Sequence, residues 1–349
     1  MERVTIKDVA RALNVSVSSV SRAFNDKYDI KKETRELILS KAREMGYHPN
    51  PIARKLISKR SYNIGVVVPE FVNPFFPEVI IGIQHVLIRE GYQVLIMQSN
   101  EMCVTELENV KTLVDNMVDG IILSLTRETR DVEYYRHLID EGFPLVLFNR
   151  VRDELNTSKV IFDDYKWAFF ATEHLILQGY RKIVHFSGPA GLGLSLNRTK
   201  GFQDAHRKYK MEVRKEQIVE TGFVMEDGQK AAEKLIKAGS LPDAIFAVND
   251  PCAIGAMKTL RKYGIKVPQE VGIAGFSETK IAALIDPPLT SVYQPTFEIG
   301  ETAAKLLLNQ IRAGTRLHIP QTIVLNGKLN VRESSLNFSG SERTTDPSD

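Results

Sequence analysis

The chain has 349 residues, enough for two to three domains of about 150 residues each, and its 43% hydrophobic and 26% charged content excludes general disorder and fibrous repeats. The net charge of +3 is unevenly spread: residues 1–60 hold 14 Lys and Arg against 7 Asp and Glu, net +7, leaving the remainder at net −4. A basic end on a slightly acidic body is the electrostatic footprint of a nucleic-acid-binding module, although a solvated charged face has the same composition.

No apolar run approaches the ~18 residues needed to cross a bilayer. The opening MERVTIKDVARAL sets charges where a secretory leader carries its apolar stretch. A soluble, cytoplasmic chain with no membrane partner is expected. Cys103 and Cys252 lack CxxC spacing, which argues against a disulfide framework or a zinc site.

From the amino end, Thr5 followed by Asp8 is a capping pair, and Ile6, Val9, Ala10 and Leu13 recur at helical spacing up to Asn14. Ser16 caps a second helix over 17–24 that buries Val20 and Ala23 or Phe24 and turns Val17, Ser18, Ser19, Ser21 and Arg22 outward. Two short helices joined by a three-residue turn form a helix-turn-helix. A third helix, over 32–45, carries Leu37, Ile38 and Ala42 on one stripe and stops at Gly46. The same pattern suits a plain three-helix core, but small polar residues beside an arginine on the outer face favour DNA.

TIKDVARALNVSVSSVSRAFND resembles the amino-terminal signature of the lac repressor family of bacterial transcription regulators. The resemblance implies DNA contacts from Thr5, Ser16, Val17, Ser18, Ser19, Ser21, Arg22 and Asn25, with Arg22 a bidentate reader of guanine. Downstream, Asn50 and Pro51 can cap a short helix over 52–58, too short to be stable alone. By itself this segment reads as a basic linker. In the resembled family it is a hinge helix that pairs with its dimer mate in the minor groove; here Leu56 matches the wedging leucine, Ala53 packs beside it, and Asn50, Arg54 and Lys59 join it on DNA.

From Tyr62 onward, short aliphatic runs (YNIGVVVP, YQVLIM, GIILSL, PLVLF, VIF, KIVHFS, AIFAVN, VGIAGF) are separated by stretches long enough for helices. That rhythm predicts parallel α/β sheets covered on both faces, and the length predicts two lobes. The expected fold is an all-α helix-turn-helix head plus an α/β body of two doubly wound lobes; the resemblance implies the type I architecture of periplasmic sugar-binding proteins. It divides the chain into a head at 1–48, a hinge at 49–61, an N-terminal lobe at 62–161 and 294–322, a C-terminal lobe at 163–292 and 323–336, and a disordered tail at 337–349. Crossovers between the lobes are expected near 161–163, 292–294 and 320–323.

No catalytic set, metal site or cofactor is expected. Gly188, Gly191 and Gly193 are in the wrong order for a dinucleotide loop, and no HExxH or GxSxG occurs. Asp163 and Asp164, paired acids at a helix start, read as caps.

Ligands of doubly wound sheets lie beyond the carboxyl ends of strands. Those ends bring Phe71, Asn73, Phe75 and Phe76 after the first run, Asn149 and Arg150 after the fourth, Arg198 beyond the sixth, and Asn249 and Asp250 after AIFAV. Phe75 and Phe76 can equally seal the lobe, and Asp250 before Pro251 is also a helix cap. The resemblance implies an effector cleft lined by Phe71, Asn73, Phe76, Asn149, Arg150, Phe162, Arg198, Phe223, Asn249, Asp250, Phe276, Ser277 and Gln294.

Where many family members have Gly-Phe-Asp-Asp, this chain has Gly275-Phe276-Ser277-Glu278, and Asn149 replaces another acid. Two cleft carboxylates are lost while two arginines remain, so a sugar acid is expected ahead of a neutral sugar. Leu192, six before Arg198, disfavours the purine-responsive branch.

The implied protein is a homodimer that reads a palindromic operator and represses carbohydrate-utilisation genes until an effector between the lobes changes its DNA affinity. The alternative is a sugar-binding protein without regulatory DNA binding; an enzyme lacks a catalytic set. If Leu56 wedges between bases, Leu56→Ala should weaken binding to the specific operator far more than to non-specific duplex in a gel-shift titration, and equal losses on both would exclude the wedge.

Overall fold

The computed structural model describes residues 4–24, 30–47, 60–314 and 319–337. Asn25 and the linker residues Asn50, Ala53, Arg54, Leu56 and Lys59 lie outside the described residues, as does most of the expected tail. Contacts divide the chain into two units, residues 1–61 and 62–349.

Among its described residues the amino-terminal unit has three helices, α1 (Ile6–Ala12), α2 (Val17–Phe24) and α3 (Lys32–Glu44). Asn14 takes the left-handed backbone, φ 49°, that turns the chain between α1 and α2. Val9, Ala10, Val20, Ala23, Ile38 and Ala42 form the core, with Phe24 edge-on to Tyr47 at its margin. Leu37, expected on the buried stripe, is 59% exposed. Ile38 and Ala42 are one turn apart and face α1 and α2, which leaves Leu37, one residue back and about 100° round the helix, on the uncovered side.

The second unit contains two six-stranded sheets. In the first, β1 (Asn63–Val68), β2 (Gln93–Gln98), β3 (Gly120–Leu123), β4 (Leu145–Phe148), β5 (Ser158–Phe162) and a late strand, Thr322–Leu325, lie in the order late–5–4–3–1–2, all parallel. The intervening helices are α4 (Phe75–Arg89), α5 (Cys103–Asp115) and α6 (Glu133–Asp140). Ile64, Val66 and Val68 of β1 pack against α4, while Val67 faces the opposite side with α5, the two-sided burial that continuous aliphatic strands require.

The second lobe follows with α7 (Asp164–Leu177), β6 (Ile183–Phe186), α8 (Gly193–Lys208), β7 (Ile218–Val219), α9 (Met225–Lys237), β8 (Ala244–Ala247), α10 (Asp250–Lys262), β9 (Gly272–Phe276) and β10 (Thr290–Tyr293). The chain then returns through α11 (Thr296–Ala313) and the late strand β11 (Thr322–Leu325) of the first lobe, and ends in β12 (Lys328–Asn330), which pairs antiparallel with β10. β11 pairs with β5 through Leu325, opposite Phe162, so the last change of lobe falls after Leu325, not at 322/323 as expected. Pattern could not locate it, because TIVL suits either sheet edge.

Three helix pairs approach closely through glycine. A Cβ on Gly82 of α4 would lie 2.1 Å from the Phe297 carbonyl oxygen, and one on Gly300 of α11 2.0 Å from that of Val79. Gly228 and Gly255 do the same for α9 and α10, and Gly201 for α8 against α7. Because the obstacle is backbone, Gly82→Ala must push the helices apart, at a cost of about 1–3 kcal/mol. The expected result is a lower Tm in thermal unfolding of the full chain; an unchanged Tm would show that the helices do not meet there.

Candidate functional site

In the amino-terminal unit, α1 starts at a carboxylate: Asp8 accepts from the Thr5 N–H at 2.9 Å and from its hydroxyl at 2.6 Å, which holds the Asp8 carboxyl below its usual range. α2 starts at Ser16, whose hydroxyl accepts the Ser19 N–H at 3.0 Å and lies 2.7 Å and 2.8 Å from the Ser18 and Ser19 hydroxyls. Val17 and Ser18 are exposed, and Ser19, Ser21 and Arg22 half-buried. The Arg22 Nε donates to the Ser18 carbonyl at 3.3 Å, which lays the guanidinium along its own helix.

In the second unit, the sharp turns that end β4 and β9 resemble each other. Asn149, φ 59°, and Ser277, φ 62°, are both left-handed. The Asn149 N–H donates to Val160 and the Glu278 N–H to Val292, each at 2.9 Å, so each turn is pinned to the neighbouring strand. The turns point into a cleft whose inner part is lined by Asn73, Phe75, Phe76, Asn149 and Arg150 from one lobe, Leu194, Arg198, Phe223, Asn249 and Ser277 from the other, and Gln294 from a crossover. The space left among them is about 20 Å³, room for one water. Beside it the cleft opens into a second room of about 330 Å³, lined among others by Thr126, Arg152, Phe162, Asp164 and Leu192.

Nine of the thirteen residues expected in the cleft line its inner part. Phe71 does not: it is 41% exposed and lines neither room of the cleft. Phe162 lines the outer room and meets Phe276 edge-on at 5.9 Å, while Phe276 is buried beneath the Arg198 guanidinium, 3.7 Å from its ring centroid. Asp250 does not reach the cleft either. It is buried on the far side of its turn, accepting from the Ser291 hydroxyl at 2.5 Å and the Thr279 N–H at 2.8 Å. The helix cap is Asn249, which accepts the Cys252 N–H at 3.0 Å and donates to the Phe223 carbonyl at 2.8 Å.

The two arginines of the inner cleft are each paired with a carboxylate, which corrects the charge argument for a sugar acid. Arg150 Nη1 lies 2.8 Å from each oxygen of Glu101. Glu70 and Glu106 also feel the Arg150 charge, and burial pushes both carboxyls up. Arg198 donates through Nε at 2.8 Å and Nη2 at 2.7 Å to Asp164, and through Nη1 to the Val248 carbonyl. Burial pushes the Asp164 carboxyl up while Arg198 pulls it back. Arg150 and Arg198 are thus each matched by a carboxylate, whereas Arg152, at the outer room, donates to the Thr129 carbonyl.

Sequence reasoning missed Glu101, Asp164 and Leu194. Glu101 follows β2, so the strand-end rule would have found it had it been applied to that run. Of the acidic pair, Asp163 does cap α7, accepting the Lys166 N–H at 3.1 Å, while Asp164 turns inward to Arg198. Among the described residues that line the cleft, two buried side-chain polar atoms have no protein partner: Arg150 Nε and Gln294 Nε2.

Burial raises the Asp250 carboxyl to about 7. An unfolded carboxyl titrates near about 3.9. The stability that the neutral form contributes is thus complete below about pH 4 and is lost as pH rises through about 7. Asp250→Asn, whose amide can face Ser291 while its carbonyl faces Thr279, should flatten the fall in Tm between pH 5 and pH 8; a parallel fall in both proteins would assign the titration elsewhere.

Residues 5–50 match the family of bacterial regulatory proteins of the lacI type, and residues 61–326 match that of periplasmic binding proteins and the sugar-binding domain of the LacI family. The chain is 34% identical over 324 residues to the HTH-type transcriptional repressor CytR of Escherichia coli K12, covering 90% of this chain and 93% of that protein. It is 32% identical over 337 residues to the ribose operon repressor of Halalkalibacterium halodurans, covering 95% and 99%. A solved complex of the transcriptional regulator CelR with cellobiose superposes with a TM-score of 0.72 at 29% identity, covering 95% of this chain and all (100%) of that one. With both halves matched in one chain, the protein belongs to the LacI family of bacterial transcription regulators.

Proposed function

We propose that this regulator is a cytoplasmic repressor of carbohydrate-utilisation genes, whose dimer reads a palindromic operator and whose DNA affinity is set by a neutral, hydroxyl-rich effector held between the lobes. The observation that carries this reading is the pairing, in one chain, of a helix-turn-helix with a small polar outer face and a cleft between lobes whose charges are internally balanced. A hydroxyl-rich ligand suits the amides of Asn73, Asn149 and Gln294 and the Ser277 hydroxyl, and the rings of Phe76 and Phe223 suit the apolar face of a sugar. The relatives named for ribose and bound to cellobiose support that class.

On DNA, Val17 and Ser18 stand at the base-reading positions and Arg22 reads guanine after leaving the Ser18 carbonyl. Thr5, Ser16, Ser19, Ser21, Asn25, Asn50, Arg54 and Lys59 add backbone and positioning contacts, and Ala53 and Leu56 form the minor-groove wedge. Effector binding changes the angle between lobes and with it the spacing of the two linkers across the dimer, which makes or breaks hinge pairing.

Selection of randomised duplex DNA by the full-length protein at moderate salt tests the reading. A palindrome with a flexible central step is expected, released by a neutral sugar and unaffected by uronates; enrichment of no sequence, with or without sugars, would refute it. Arg22→Ala should cost about 1–3 kcal/mol on the selected operator and relax preference at one base pair per half-site, measured by competition binding.

A further inference from the structure

The connections between the lobes are very short. One residue, Asp163, separates β5 from α7; Gln294 and Pro295 separate β10 from α11; Asn326 and Gly327 separate β11 from β12. A residue spans at most about 3.6 Å, so none of the three connections has slack that would let the lobes slide past each other. Relative motion is left to rotation about a line that passes close to all three.

The ladders locate that line. In the first sheet Leu325 is paired with Phe162, and in the second Lys328 is paired with Tyr293. The third connection therefore lies beside the first in one lobe and beside the second in the other, and its change of partner is completed within Asn326 and Gly327, which belong to neither ladder. A Cβ on Gly327 would lie 2.4 Å from the Tyr293 carbonyl oxygen and 2.6 Å from Cζ of Phe162. All three connections thus converge on one α-carbon with no side chain between them. Ordinary van der Waals contact begins near 3.4 Å, so even a methyl group would have to drive the third connection about 1 Å away from the second.

The same two residues are clamped from the second lobe. Asn326 Oδ1 accepts from Nε1 of Trp167, the one tryptophan of the chain, at 2.9 Å and from the Lys166 ammonium at 3.3 Å, which ties the third connection to the first turn of α7. The Lys328 ammonium, 5.2 Å from the Tyr293 ring centroid, ties it to the second connection.

We propose that Asn326–Gly327 is the pivot on which the lobes turn: the bare α-carbon at 327 lets the three connections rotate about one point, and Trp167, clamped to Asn326, moves with it. This rests on the reading, given above, of a regulator whose lobe angle sets its DNA affinity. A side chain at 327 separates the connections and blocks the rotation, so it uncouples the cleft from the DNA while touching neither site.

The test uses the full-length protein and the operator duplex recovered by selection, with wild type, Gly327→Ala, Asn326→Ala and Gly228→Ala. The Gly228 variant sets a Cβ 2.0 Å from the Cys252 carbonyl oxygen, a comparable clash inside one lobe, and so controls for lost packing. Calorimetry with D-ribose and with cellobiose establishes sugar binding. At saturating sugar the operator affinity of wild type and Gly228→Ala should change about fivefold or more, the lower end of allosteric couplings, and that of Gly327→Ala less than about twofold although it still binds the sugar. Asn326→Ala should fall between them. Trp167 emission should change when operator or sugar binds wild type, and this change should shrink in Asn326→Ala. Full coupling in Gly327→Ala overturns the proposal, and so does an equal loss in Gly228→Ala, which would assign the effect to packing. If Gly327→Ala does not fold, unchanged coupling in Asn326→Ala overturns it. If neither sugar binds, the sugar reading of the cleft fails and the pivot is decided by the operator alone: Trp167 emission that changes on operator binding supports it, and emission that does not overturns it.

Discussion

A guanidinium cannot shed its proton inside a protein, so an arginine buried between two lobes must bring its counter-charge with it or cost several kcal/mol. Among the described residues two arginines are buried. Arg198 is answered by Asp164 and lies flat on Phe276; Arg150 is answered by Glu101 and lies between Phe76 and Phe223. Each pair ties together segments far apart in the chain, Asp164 with Arg198 and Glu101 with Arg150, and the aromatic contact of Arg150 crosses the cleft. The geometry of the ligand site follows from these two neutralisations more than from any hydrogen-bonding residue that lines it.

The two pairs differ in their surroundings. Arg198 uses Nε, Nη1 and Nη2 and sits on α8, where Gly201 brings that helix against α7. Arg150 follows a tight turn at a strand end, is held through Nη1, and borders an open room. Around Arg150, burial also pushes the Glu70 and Glu106 carboxyls up, and the arginine's charge pulls both back.

The lobes are connected where the chain passes from β5 to α7, from β10 to α11 and from β11 to β12, all at one end of the sheets. Gln294, at the second crossing, accepts from the Ser277 hydroxyl while its amide nitrogen faces the cavity. A residue that touches the cleft and lies on a connection is well placed to convert occupancy into lobe angle.

Much of this was legible in the order of residues. Periodicity and capping marked the three amino-terminal helices, because local hydrogen bonds and a one-sided apolar stripe are written in neighbours three and four apart. Eight aliphatic runs marked eight strands, since a strand buried on both faces must be apolar throughout. The short strands β7, β10, β11 and β12 were not marked: two to four residues carry too little pattern, whether at a sheet edge, as β7, β11 and β12 are, or one strand in, as β10 is, and the lobe to which β11 belongs depends on which edge is free. Only the tertiary structure decided which side of a strand-end turn each side chain takes, and so separated Asn149 and Ser277 in the cleft from Phe71 and Asp250 outside it. It alone paired Arg150 with Glu101 and Arg198 with Asp164, because a buried charge finds its partner through space, across 49 and 34 residues of chain, and no local spacing encodes such a meeting.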